Sequence, residues 1–176
     1  PYEDGVNIIV DTNNPQIFYG SNSDDSGNYS KDWIFVNVTV LDENIDTVLL
    51  YFNGTFEAFG NSQGNFYWIN KTNLEDGVYT IYAFVNDTAG NSNQTGVRTI
   101  RLDTTPPVLT IVSPQDRTYA STQLWFNVSS DETLNNCVLS IDSGAIKSMN
   151  KFNETYYYNQ FTLSDGNHLS LIHISE

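Results

Sequence analysis

At 176 residues the chain is long enough for one or two domains, and its 39% hydrophobic, 14% aromatic and 16% charged residues describe a packed core, not a disordered segment. Seven Lys and Arg against 21 Asp and Glu leave a net charge of −14, which excludes the clustered basic surface that nucleic acid and anionic membranes require, and suits solubility and divalent cations. No run approaches the roughly 20 apolar residues of a membrane span, no signal peptide opens the chain, and the lone Cys137 excludes an internal disulfide or cysteine metal centre and reads as a small buried apolar side chain.

In chain order, residues 5–10 (GVNIIV) run into Asp11-Thr12-Asn13-Asn14-Pro15 and echo residues 96–102 (GVRTIRL), which run into Asp103-Thr104-Thr105-Pro106-Pro107-Val108. Asp11 and Asp103 are 92 positions apart, as expected for one design written twice. Each proline fixes its own φ, lacks an amide donor and disfavours helix in the residue before it, so Asp103, Thr104, Thr105, Pro106 and Pro107 form a short, stiff, extended joint. The first run reads as the last strand of a preceding domain, and the chain as an internal fragment.

After Pro15 the sequence predicts a short strand, then a loop over residues 22–28. Ile34, Val36, Val38 and Val40 then alternate with Phe35, Asn37, Thr39 and Leu41, the period of a half-buried strand. Val48, Leu50 and Phe52 form the next inward face, closed by the hairpin signal Asn53-Gly54. A strand over 66–69 follows, then Leu74-Glu75-Asp76-Gly77-Val78-Tyr79, after which Tyr79, Ile81, Ala83 and Val85 alternate toward a turn at Asn86-Asp87-Thr88-Ala89-Gly90-Asn91. A closing strand runs from Val97.

The second copy repeats the scheme at Leu124, Phe126 and Val128, at Cys137, Leu139 and Ile141 with a corner at Asp142-Ser143-Gly144, and over residues 156–163. Leu163-Ser164-Asp165-Gly166-Asn167-His168 answers the segment from Leu74, 89 residues later. No segment combines helical periodicity with caps. Seven or so short strands per unit of about 90 residues, separated by Asp-Gly and Asn-Gly turns, predict an all-β fold of two β-sandwiches.

The 103–108 joint, the Asp76-Gly77-Val78-Tyr79 segment and the Asn86-to-Asn91 turn together resemble tandem bacterial and archaeal immunoglobulin-like repeats of large surface proteins. The resemblance runs to His168. It implies tandem Ig-like β-sandwich domains, extracellular, at the cell surface or secreted, non-catalytic, acting as spacers or adhesion modules. It also implies partners in neighbouring repeats of the same chain and in cell-surface glycans or proteins. On this reading residues 1–12 are the last strand of a preceding repeat plus linker, 13–105 one domain, and 106–176 a second, truncated domain. Residues 169–176 (LSLIHISE) look like the translation of a sequencing adaptor and are expected to be non-native. Tyr79 is expected to form the tyrosine corner of such sandwiches, its hydroxyl bonded to nearby backbone.

Chemistry is thinly represented. The histidines are His168 and His173, and neither a Gly-x-Ser-x-Gly elbow, a His-Glu-x-x-His pair nor a phosphate loop occurs, so no catalytic residue is assigned and no cofactor is expected beyond calcium. Asp24, Asp25, Asp42, Glu43, Asp46 and Asp87 are hard oxygen ligands in loops, yet no Asp-x-Asp-x-Asp-Gly spacing is present. Sandwich ends pool ligands from several loops, whereas turn acids that bond their own backbone look the same in sequence. Asn-x-Ser/Thr acceptors occur at Asn28, Asn37, Asn53, Asn70, Asn86, Asn93, Asn127 and Asn153, more than this composition yields by chance; Asn-rich outward strand faces also generate them.

Trp33, Trp68, Trp125, Tyr156, Tyr157 and Tyr158 are candidate stacking platforms for carbohydrate, weighed against packing in or beside the core. Three tyrosines in a row on a strand must turn at least one ring outward. Lys31, Lys71, Lys147 and Lys151 read as surface lysines; an internal isopeptide bond would need a buried one beside an acid. A carbohydrate-binding module of a secreted enzyme and a virion or tail-fibre decoration domain are the alternative functions.

Overall fold

Ile34, Val36, Val38 and Val40 are each at most 1% exposed and form the inward face of one long strand in the computed structural model, which describes residues 9–175. Every regular element among the described residues is a strand. The chain divides into two compact units, Pro1–Thr105 and Pro106–Glu176.

In chain order the first unit holds β1 (Gln16–Tyr19), β2 (Gly27–Tyr29), β3 (Ile34–Leu41), β4 (Ile45–Phe52), β5 (Thr55–Ala58), β6 (Asn61–Gln63), β7 (Phe66–Lys71), β8 (Gly77–Asp87), β9 (Ser92–Gln94) and β10 (Arg98–Leu102). One sheet has the order β1-β3-β7-β6 and the other β2-β10-β8-β4-β5, with β9 added to β8. Alternation turns one side of each strand to the sandwich interior. Ile34, Val36, Leu50, Ile81, Ile100 and Leu102 form one buried cluster, and Ile17, Val38, Val40, Val48, Ala83 and Val85 a second. Asn53 and Gly54, at φ 46° and 108°, make the tight β4–β5 turn in the left-handed region that Asn and Gly tolerate. The Tyr79 hydroxyl donates to the Glu75 carbonyl at 2.8 Å and ties the start of β8 to the segment before it.

The loop expected over 22–28 contains a strand. Gly27–Tyr29 pairs with β10 in parallel, and the Asp103 amide donates to the Tyr29 carbonyl at 3.0 Å. The pairing uses backbone groups alone, so a Ser/Asp/Gly/Asn segment without apolar periodicity can still satisfy the open edge of β10. Of the strand expected over 5–10, residues 5–8 lie outside the described residues, while Ile9 and Val10 belong to no strand and are 81% and 82% exposed. The core is almost wholly aliphatic. Trp33 and Trp125 are exposed and Trp68 is half-buried.

The second unit contains β11 (Leu109–Ser113), β12 (Gln123–Ser130), β13 (Asn136–Ile141), β14 (Lys147–Ser148), β15 (Asn150–Asn153), β16 (Tyr156–Thr162) and β17 (Ser170–Ser175). Its sheets run β11-β12-β16-β15 and β14-β13-β17. The first order is that of β1-β3-β7-β6, and the second is that of β5-β4-β8. Phe126, Val128, Leu134, Cys137, Leu139, Met149 and Tyr157 form the core. Cys137 lies with Sγ 3.6 Å from Met149 Sδ, and burial pushes its thiol pKa up, as suits a packing residue and not a nucleophile.

Residues 170–175, in the segment expected to be foreign, form β17 and pair with β13 from Asn136↔Ser175 to Ile141↔Ser170. Ile172 and Ile174 pack against the core while Leu171 and His173 face out. Any six residues with period-two hydrophobicity satisfy such an edge, because the ladder is backbone and only the inward side chains are selected.

Candidate functional site

The joint is clasped from both ends. The Asp76 carboxylate accepts from the Thr104 amide and hydroxyl at 2.8 Å each and from the Thr105 hydroxyl at 2.6 Å. These bonds, Thr105's first and Thr104's next, hold the Asp76 carboxyl below the usual carboxylate range. On the far side the Asp131 carboxylate accepts from the Val108 amide at 2.7 Å, and the Asp131 amide donates back to the Val108 carbonyl at 3.2 Å. Asp103 is pinned through Tyr29 and lies 3.5 Å from Arg101. Pro106 and Pro107 are the residues between the two clasps.

The six proposed calcium ligands do not converge as a set. Asp24 pairs with Lys31 at 2.7 Å and accepts from the Phe35 amide, and Asp25 pairs with Arg98 at 2.6 Å. Asp46 accepts from Thr47 and Asn86, and Glu43 is exposed. Asp42 and Asp87 do meet, together with Asp11 of the first joint, which the sequence did not single out as a ligand; one oxygen from each lies within 4.8 Å of the others.

All three carboxylates also accept hydrogen bonds from neighbouring groups. Asp87 is 1% exposed and accepts from the Ala89 amide, the Asn91 amide and the Asn91 carboxamide at 2.8 to 2.9 Å. Burial opposes its ionisation, but the bonds from Asn91, Ala89 and Gly90 prevail and hold its pKa below the ordinary value. Asp42 accepts from the Asn44 amide, and Asp11 from the Asn44 carboxamide and the Asn13 amide. The arrangement is one of turns stapled to a joint. Thermal melting in millimolar calcium and in chelator is expected to give one Tm; a calcium-dependent rise would show instead that the three acids hold a cation.

A concave surface lies on the second unit. Trp125 and Asn127 of β12, Phe152 and Asn153 of β15, and Tyr156 and Tyr158 of β16 line a groove of about 590 Å³. Alternation builds it. Tyr157 points inward at 3% exposure, its hydroxyl donating to the Leu134 carbonyl and accepting from the Leu134 amide, so Tyr156 and Tyr158 must face out. Asn127 stands opposite Tyr158 in register, and Trp125 lies two residues earlier on the same face. The Trp125 and Tyr158 rings are 6.0 Å apart and tilted by 48°; the Phe152 and Tyr156 rings are 6.1 Å apart and nearly edge to face.

Comparison with known proteins places the first unit. The family described as "Bacterial Ig-like domain" matches residues 11–104, more than half of the sequence. The chain belongs to the bacterial Ig-like domain family. Solved structures similar to it include the fibronectin(III)-like modules of Clostridium thermocellum CbhA, at 15% identity over 90% of this chain and 86% of that one, TM-score 0.46. A three-Ig segment of titin matches at 13% identity over 89% of this chain and 60% of that one, TM-score 0.49. SGBP-B of the Bacteroides ovatus mixed-linkage glucan utilization locus, solved with a mixed-linkage heptasaccharide, matches at 10% identity over 89% and 62%, TM-score 0.37. Each likeness is one of fold alone. No match is found among curated proteins.

On the Ig-like unit the sequon asparagines occupy different environments. Asn28, Asn53 and Asn70 are exposed, on β2, the β4–β5 turn and β7. Asn37 packs its carboxamide against Gly20, where a side-chain carbon would lie 2.6 Å away, and its Oδ1 is buried without a partner. Asn86 donates through its carboxamide to Asp46, and Asn93 to the Pro15 carbonyl. Asn127 and Asn153 line the groove of the second unit. Lys31 and Lys71, expected at the surface, are partly buried in ion pairs with Asp24 and Glu57, and the Lys31 ammonium lies 3.5 Å from the Trp33 ring centroid.

A second aromatic cluster was not singled out from sequence. Tyr51 of β4, Phe56 of β5, and Tyr82 and Phe84 of β8 meet on the outer face of the Ig-like sheet, with Tyr51 and Tyr82 stacked at 4.5 Å. The signal was there: Tyr51 on β4 and Tyr82 and Phe84 on β8 stand between inward residues, where a fully solvated face carries polar residues.

Proposed function

We propose that the chain is a non-catalytic extracellular repeat segment of a large surface or secreted protein, a spacer that also offers an adhesive face. Its immediate partners are neighbouring Ig-like repeats of the same chain. The observation that carries the reading is the pair of clasps around the joint. Asp76 fixes Thr104 and Thr105 to the first unit, and Asp131 fixes Val108 to the second, so the free span is two prolines whose φ angles their rings have set. A linker with so few free torsions transmits position, whereas a Gly/Ser linker of equal length behaves as a flexible coil. The net charge of −14 keeps such a segment soluble.

The test is small-angle scattering of the whole chain beside a Pro106→Gly/Pro107→Gly variant. The glycine variant is expected to show a broadened distance distribution with unchanged melting of the units. Superimposable scattering from the two proteins would remove the spacer reading.

A further inference from the structure

We infer that the groove on the outer face of the β11-β12-β16-β15 sheet binds a neutral polysaccharide, with flat-faced pyranose rings stacked on Trp125 and Tyr158 and hydroxyls held by Asn127 and Asn153. The inference deepens the adhesive half of the proposed function and rests on it for its setting, since a surface module meets polysaccharide.

The chemistry of the lining selects the ligand. It consists of four aromatic rings and two carboxamides, without an ionisable carboxylate or ammonium and without an aliphatic side chain. In a chain that carries 28 charged residues, an uncharged concave patch of this kind fits a ligand that is itself uncharged. Trp125 is 50% and Phe152 73% exposed, so large ring surfaces stand in water. A pyranose presents an apolar face of C–H groups to such a ring and hydroxyls around its rim, and a carboxamide donates and accepts at once, as a pair of vicinal hydroxyls requires. The Asn127 carboxamide and the hydroxyls of Tyr156 and Tyr158 have no hydrogen-bond partner among the described residues and are available to a ligand. Asn153 Oδ1 accepts from the Thr155 amide at 3.0 Å, which fixes its orientation and leaves its Nδ2 to donate.

Two aromatic pairs side by side, joined through Tyr156 and Tyr158 two residues apart on β16 and flanked by the carboxamides, suit consecutive sugars of a chain better than a single monosaccharide. The neighbouring charges Lys151 and Glu154 neutralise each other at 2.8 Å and add no net field. Single-stranded nucleic acid would use the same rings, but its phosphates need Lys or Arg along the groove, and none lines it. An apolar protein segment would call for aliphatic contacts, and the lining presents ring faces and carboxamides instead.

The experiment is native affinity electrophoresis of the whole chain through gels containing hydroxyethylcellulose, arabinoxylan or galactomannan, with alginate as the charged control. Retardation is expected in at least one neutral gel, absent in Trp125→Ala and weakened about tenfold or more in Tyr158→Ala. Should Trp125→Ala lose its fold by circular dichroism, Phe152→Ala decides, since so exposed a ring contributes little to stability and its loss is still expected to weaken retardation. Free mobility in all three neutral gels, retardation in alginate alone, or retardation that survives both Trp125→Ala and Phe152→Ala would overturn the inference. None of those results touches the spacer reading, which scattering tests separately.

Discussion

Replacement of Leu50 by alanine is expected to lower the stability of the first unit by about 3 kcal/mol, and its Tm by roughly 15 °C. Leu50 is wholly buried within the cluster of Ile34, Val36, Ile81, Ile100 and Leu102, with Phe52, Ile69 and Tyr79 packed around it. The loss exceeds the transfer free energy of the deleted carbons because the cavity stays open. β4 is laddered to β5 on one side and to β8 on the other, with Leu50 opposite Glu57 and Ala83, so its backbone is unable to settle inward. Ala83, the cross-strand neighbour, is too small to fill the gap. Val78→Ala, at a side chain 53% exposed on β8, is the control and is expected to change stability by less than about 0.5 kcal/mol. Calorimetric melting of the three proteins decides; a Leu50→Ala loss no larger than the control's would mean that the two sheets close over the gap.

Asp87→Ala is the second large effect, a fall in the Tm of the first unit on the order of 10 °C. The substitution leaves the amides of Ala89 and Asn91 and the Asn91 carboxamide without their acceptor at the β8–β9 corner. It also loosens Asn91, whose carboxamide donates to the Asp11 carbonyl, so the first joint is released with the corner. The effect depends on pH. Burial opposes the charge, the bonds from Asn91, Ala89 and Gly90 favour it more, and the folded pKa lies below the unfolded one. A group of that kind contributes fully above its unfolded pKa, and the contribution is lost as pH falls through the folded value. The Tm gap between wild type and Asp87→Asn is therefore expected to be widest near neutrality and to shrink on acidification. Asp11 and Asp42 are the acids that face Asp87, with one oxygen of each within 4.8 Å of the others. A gap that stays constant down to strongly acid pH would show that the corner is held by packing and not by the carboxylate.

Much of the fold is legible in the sequence because its signal is local. The alternation at Ile34 to Val40 and at Tyr79 to Val85 states which side chains are buried, and the chain follows it residue by residue along β3 and β8. The Tyr156-Tyr157-Tyr158 triplet on a strand forces rings outward whatever its neighbours are, and that fixes two of the groove's four rings. Phe152 was not legible, because β15 is a short edge strand with a register shift between Lys151 and Asn153, and a bulge re-aims side chains that strict alternation would assign otherwise.

The sequence by itself determined the long alternating strands, their inward faces and the tight corners, since a period of two and the tolerance of Asn, Asp and Gly for left-handed φ act within a few residues. Tertiary structure alone decided which distant acids meet. Asp11, Asp42 and Asp87 come from three separate turns or strand ends, and Asp76 reaches Thr104 and Thr105 because β8 and β10 pair with Gly77 opposite Leu102. Such encounters follow from the order in which strands are laid side by side. That order is set by burial of the whole core, and no short stretch of residues carries it.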